Sequence, residues 1–168
     1  MNLQIEGAQQ LRAPRERVHQ ALTDPQILQR CIPGCERVER TGENTYSATI
    51  RIEVGSINEV FNASVLLEKM RAPEHYRIVV EGKGTSGFME GSGDLGLEEQ
   101  RSTTIATYTG DIQVGGTVAS VDQRKIQGTA KLMACQFFTA IGTEARTMAS
   151  ESPARQGLFR TILKWFSG

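Results

Sequence analysis

Long apolar runs are missing from this chain. No stretch approaches the roughly 18 consecutive apolar residues that a bilayer-spanning helix needs, and no apolar segment follows a basic start that would read as a secretory leader. Cysteine is scarce and odd in number, three in 168 residues, which argues against a complete disulfide framework and makes reduced thiols in the cytoplasm the expectation. Net charge is absent too: 19 basic and 19 acidic side chains cancel, so the general electrostatic footprint of a nucleic-acid binder is lacking. Metal and catalytic signatures are equally thin. Cys31 and Cys35 flank Ile32, Pro33 and Gly34 at a spacing unlike the paired short steps of a structural zinc site. His19 is expected on the polar side of a helix and His75 at a loop edge, neither with a partner legible in the sequence. No serine sits in a strained elbow motif, and Glu98 and Glu99 read as a solvated hairpin end. Neither catalytic nor metal-binding residues are assigned.

What the chain does have is one long helical stripe. From Thr117 to about Ala149, Val121, Ile126, Ala130, Met133, Ala134, Phe137, Phe138 and Ile141 recur at three- and four-residue steps, with Asp122, Arg124, Lys125, Gln127 and Lys131 mostly between them. Gly128 interrupts the stripe at a cost of about 1 kcal/mol relative to alanine, so it serves either close packing or open space. The stripe needs a cover, and everything before it alternates with period two. Leu3, Ile5, Gly7 and Leu11 mark a first strand; Pro14 opens a short helix with Val18, Ala21 and Leu22 on one face. Asp24 as N-cap and Pro25 at the first helical position start a second helix, with Ile27, Leu28 and Cys31 buried. Six further strands follow. The pattern is therefore α+β: a curved, seven-stranded antiparallel sheet closing around the C-terminal helix, with two short helices after strand 1.

Two features carry functional content. In the glycine-rich strands, Tyr76, Ile78, Val80, Gly82 and Gly84 share a face, as do Met89, Gly91, Gly93, Leu95 and Leu97, and then Ala106, Tyr108, Gly110, Ile112 and Val114. Glycines on the apolar face either bend the sheet and admit close packing or remove enough side-chain volume to leave a cavity. Such a cavity would be lined by Phe61, Gly82, Gly84, Met89, Gly91, Gly93, Tyr108, Met133 and Phe137, and would suit a lipid-like guest. The second feature is the tail. After a domain spanning residues 1–149 and a polar joint at 150–157, residues 158–168 group Leu158, Phe159, Ile162, Leu163 and Phe166 opposite Arg160, Thr161 and Lys164, with Trp165 at the boundary. Residues 150–168 hold three cations against one anion. A basic amphipathic helix of this kind either packs on a protein surface or associates weakly and reversibly with a membrane surface.

Several segments together resemble the carbon monoxide dehydrogenase G-subunit family, within the START-like, Bet v 1-like helix-grip superfamily (SRPBCC). They are Ala13–Pro14, Asp24–Pro25, CIPGCE at residues 31–36, GxGxxGF at 82–88, QVGG at 113–116 and QFF at 136–138; CIPGCE is the most specific. The resemblance implies a helix-grip fold with a hydrophobic cavity and a non-enzymatic accessory of a molybdenum-containing carbon monoxide dehydrogenase or related hydroxylase. It implies recruitment of that enzyme to the inner face of the cell membrane, with a quinone or other lipid held in the cavity. Two alternatives stand beside it: a START-like enzyme such as a polyketide cyclase, for which Tyr108 is the inward-facing candidate, and a soluble carrier of a hydrophobic small molecule.

Overall fold

Alternation of apolar and polar side chains from the first residues produces β1 (Asn2–Leu11), after which Pro14 stops the ladder. The structure, a computed structural model, describes residues 1–150. Two helices follow, α1 (Arg15–Leu22) and α2 (Pro25–Cys31), then six strands: β2 (Cys35–Arg40), β3 (Thr45–Val54), β4 (Ile57–Arg71), β5 (His75–Gly84), β6 (Gly87–Gln100) and β7 (Thr103–Gly116). A 3-10 turn at Thr117–Ser120 leads into α3 (Gln123–Ser150). The strands form one antiparallel sheet in the order β1-β7-β6-β5-β4-β3-β2. Because β1 and β2 are its two edges, α1 and α2 must carry the chain from one edge to the other. They do so by packing on α3.

Local chemistry fixes the helix ends. Asp24 caps α2, its Oδ1 accepting from the Gln26 amide at 2.9 Å, with Pro25 at the first position, as the sequence predicts. Pro14 departs from expectation by one residue. It is the extended N-cap of α1, and its carbonyl accepts from the Arg17 and Val18 amides at 3.0 and 3.1 Å. The long helix also starts later than the apolar period indicates. Thr117–Ser120 make a single tight turn that seats Val118 in the core, Val121 is extended, and Asp122 accepts from the Arg124 amide at 2.8 Å to begin α3. At its other end α3 runs to Ser150, the first residue of the expected joint, while residues 151–168, including the whole amphipathic tail, lie outside the described residues.

The CIPGCE segment is explained by a turn. Gly34 has φ of 74°, its carbonyl accepts from the Arg51 amide at 2.8 Å, and a Cβ there would run into the Arg51 carbonyl. The segment thus docks backbone to backbone between α2 and β3. Cys31 is 3% exposed under α2, and burial pushes its thiol up to about 11; Cys35 donates to the Arg37 carbonyl. Both thiols are structural, and among the described residues no group of three or more metal-ligating side chains is assembled. Arg30 of α2 grips Glu144 of α3 through two hydrogen bonds of 2.8 and 3.2 Å, fixing α2 over the helix.

Candidate functional site

The concave face of the sheet can be read as rows of paired residues running across the strands. One row is Gly7, Tyr108, Leu95 and Tyr76; another is Leu3, Ile112, Gly91, Val80 and Val65. The row between them is Ile5, Gly110, Gly93 and Ile78, with two adjacent glycines at its centre. A sheet side chain normally projects several ångströms toward the opposing layer, so this row is a trench.

The core divides along that trench. On one side Tyr76, Leu95, Leu97 and Ala106 pack with α1, α2 and the C-terminal half of α3, through Phe138, Ile141 and Ala145. On the other, Leu3, Val54, Ile57, Phe61 and Val114 pack with Val118, Val121 and Ile126. A Cβ added at Gly91 would meet only the Asp111 carbonyl at 3.5 Å and Ile112 at 3.8 Å, with nothing from α3. At Gly128, on the helix, a Cβ would meet nothing within 4 Å. Gly128 is exposed on α3, so it is the sheet glycines that leave space under the helix, and Ile50, Val65, Ile78 and Val80, which face inward, are only half-buried.

At β1 the gap meets the surface. An open cleft of about 850 Å³ is lined by Ile5, Gly93, Gly110 and Gly128 together with polar side chains from β1, β5, β6, β7 and α3. Its charges are Arg77, Arg124 and Lys131 against Glu6, Asp94 and Asp111. Asp111 accepts from Gln4 at 3.1 Å, and Asp94 stands 3.4 Å from His75. Ile5 is the one apolar side chain of this lining, and Glu6, Arg77, Asp94 and Asp111 alternate onto the outer face of the sheet, so the cleft itself is polar.

The residues expected to line one cavity are not gathered around a single space. Phe61 and Met89 belong to the cluster under the start of α3, where Phe61 covers Gly84. Tyr108 and Phe137 belong to the other cluster, and Tyr108 stacks on Phe138 at 5.0 Å while its ring lies over Gly7. Met133 is half-buried, Gly82 is buried beside Ala63, Gly93 lies in the trench, and Gly91 lies in the row beside it. Gly110 completes the trench, and period-two spacing shows it, but only strand register reveals that it lies beside Gly93.

Sequence reasoning also misses His19. Its Nδ1 hydrogen-bonds with the hydroxyl of Tyr76, and the rings stack at 5.8 Å, so α1 docks through an aromatic pair. Tyr76 is 0% exposed, and burial pushes its phenol up to about 12. Burial of the imidazole and the Lys69 ammonium lower the His19 pKa, with Glu16 opposing. A neutral ring accepts the phenol proton at Nδ1; a protonated ring has no lone pair to offer, and the buried O–H loses its acceptor. Because the folded value lies below the unfolded 6.5, this contribution is complete above that pH and is lost as pH falls through the lowered folded value. Thermal melts of the wild type should lose stability in that acid window, and H19Q should flatten the loss. An equal slope in the variant would place the proton uptake elsewhere.

The family model for the G subunit of carbon monoxide dehydrogenase (CoxG) matches residues 7–146, a stretch that holds the CIPGCE turn, the trench and most of α3. The chain belongs to the CoxG family. A solved structure, that of a conserved protein from Geobacillus kaustophilus, is 34% identical over 86% of this chain and 96% of that one, with a TM-score of 0.81. Farther off, the ZhuI aromatase/cyclase from Streptomyces sp. R1128 is 15% identical over 87% and 94% of the two chains, with a TM-score of 0.66. A START superfamily protein from Mycobacterium smegmatis is 10% identical over 86% and 98%, with a TM-score of 0.62. These two show the fold alone, and that fold is the helix-grip arrangement the sequence pattern indicates. No curated protein matches the chain. In this CoxG-family chain, no helix among the described residues is long and apolar enough to cross a membrane.

Proposed function

We propose that this CoxG-family protein is a non-enzymatic accessory of a molybdenum-containing hydroxylase of the carbon monoxide dehydrogenase type. It holds a quinone or similar lipid between α3 and the sheet and brings the enzyme to the membrane through residues 158–166. The observation that carries the ligand half is the glycine-floored gap at Gly91, Gly93 and Gly110, flanked by half-buried apolar side chains. An unfilled gap forfeits dispersion contacts on both walls, whereas an apolar guest restores them. Family membership supports the enzyme partner, and the basic amphipathic pattern of the tail supports the membrane step.

Organic extraction of the purified full-length chain, followed by mass spectrometry, tests the ligand half. A stoichiometric quinone or lipid is expected, and a protein that is always empty would remove the carrier reading. Flotation with liposomes, comparing the full chain with one ending at Ser152, tests the tail in the same preparation. A second reading, a cyclase-like enzyme, is favoured by Tyr108, whose hydroxyl makes no hydrogen bond among the described residues and is raised in pKa by burial, then by the nearby Cys135. The two readings part on the extract: a carrier retains its guest, while an enzyme releases its product.

A further inference from the structure

The outward face of α3 has the wrong chemistry for water. Between Lys131 and Glu144 the helix carries no charged residue, and its exposed positions there are Leu132, Cys135, Gln136, Thr139 and Thr143. A helix face turned to solvent is normally charged. Leu132 is 57% exposed, and the threonines beyond it turn their hydroxyls inward. Thr143 donates to the Thr139 carbonyl at 3.1 Å, Thr147 donates to the Thr143 carbonyl at 2.9 Å, and the Thr139 hydroxyl accepts from Gln9 at 2.6 Å. With those hydroxyls engaged inside the molecule, a neighbour on this face meets methyl groups, a thiol and a leucine. Apart from Leu132 and Gln136 the side chains are small, which lets a second helix approach to the close end of the usual spacing, about 8 Å.

We infer that the occupant of this face is the chain's own tail: residues 158–166 fold back along α3 and lay Leu158, Phe159, Ile162, Leu163 and Phe166 on it, leaving Arg160 and Lys164 to water. Size favours the tail, because its large apolar side chains complement the small ones of the face. Length favours it too: Leu132 to Thr143 is about 17 Å of helix and residues 158–166 are about 13 Å, at roughly 1.5 Å per residue. So does reach. The chain leaves α3 at Ser150, about two turns beyond Thr143, and residues 151–157, with Pro153 and Gly157 as turn residues, are within the roughly 2–8 residues that reverse one helix onto another. Tethering then holds the tail near its face at an effective concentration in the millimolar range. The inference goes beyond the membrane-recruiting reading and stands without it. The same apolar side chains cannot serve α3 and a lipid surface at once, so the docked tail is a stored state that a membrane must displace.

Cys135 lies within the face and reports on its cover. Labelling of Cys135 by N-ethylmaleimide, read by peptide mass spectrometry on the native full chain without lipid, should be roughly tenfold slower than in a chain ending at Ser152, as for a face covered about nine-tenths of the time. The full chain carrying Ile162→Ser and Leu163→Ser together should label as fast as the truncated one, whereas Arg160→Gln should keep the protection. Equal rates in the full and truncated chains would overturn the docking, as would protection that survives the double substitution. Protection that fades on dilution would overturn it as well, by assigning the tail to a second copy of the chain. Vesicles of phosphatidylcholine with phosphatidylglycerol, added to the full chain, should restore fast labelling. Flotation on those vesicles with Cys135 still protected would overturn the exchange. No flotation with Cys135 protected would remove the membrane step alone and support the docking.

Discussion

Valine in place of Gly91 should raise the melting temperature and at the same time empty the protein of its apolar guest. Glycine in a strand interior costs stability because the unfolded chain has more freedom to lose, and β-branched residues suit a pleated, half-buried surface. At Gly91 nothing offsets that gain, since the Cβ meets its neighbours at 3.5 and 3.8 Å, ordinary van der Waals distances. The stabilisation should be about 0.5–1 kcal/mol, or roughly 1–4 °C for a domain of this size. The two added methyl groups narrow the gap beside the trench, so ligand recovered by extraction should fall about tenfold or more, a loss of about 1.4 kcal/mol or greater in binding. If the interior were filled, the same valine would be overpacked against α3 and would lower stability by about 1–3 kcal/mol. The sign of the thermal shift therefore decides between a hollow and a packed interior before any ligand is identified. Gly93 supplies the contrast. A Cβ there would stand 2.5 Å from the Thr109 carbonyl, so G93A must push two strands apart and should destabilise the protein. Gly91 preserves space, and Gly93 preserves backbone approach.

That distinction marks the boundary of what the sequence makes legible. Alternation identifies every strand and the apolar face of each, because side chains on a pleated strand point to opposite sides with a fixed period. It therefore places Gly82, Gly84, Gly91, Gly93 and Gly110 on the inner face without further help. It does not say which glycines are neighbours, since that depends on register between strands: Gly93 pairs with Gly110, while Gly84 ends at the hairpin under the Phe61 ring. Register is set by turn lengths and by the packing of the whole sheet, both non-local. His19 escapes for a related reason. On α1 alone it lies beside polar positions, and only the crossing of α1 over the end of β5 presents Tyr76 to it. The family resemblance rests on segments whose roles are structural, the CIPGCE turn above all, so it anticipates the fold better than it anticipates the site.

Truncation of Phe138 to alanine should be the most damaging single change in α3, at about 3–5 kcal/mol. The ring is 5% exposed, stacks on Tyr108 at 5.0 Å and meets Phe137 edge-on at 5.1 Å, so its removal opens a cavity and deprives two aromatic partners at once. Against the 5–15 kcal/mol that holds a typical domain together, such a loss lowers the melting temperature by roughly 10 °C. F138L, which keeps most of the volume, should lower the melting temperature far less. Phe137 behaves differently, although it is adjacent and chemically identical. One residue along a helix is a rotation of about 100°, which leaves Phe137 only half-buried, at the margin of the same cluster. F137A should therefore weaken retention of the guest more than it weakens the fold. Equal stability losses for the two alanine variants would mean that no gap separates them, and the helix would be gripped on all sides.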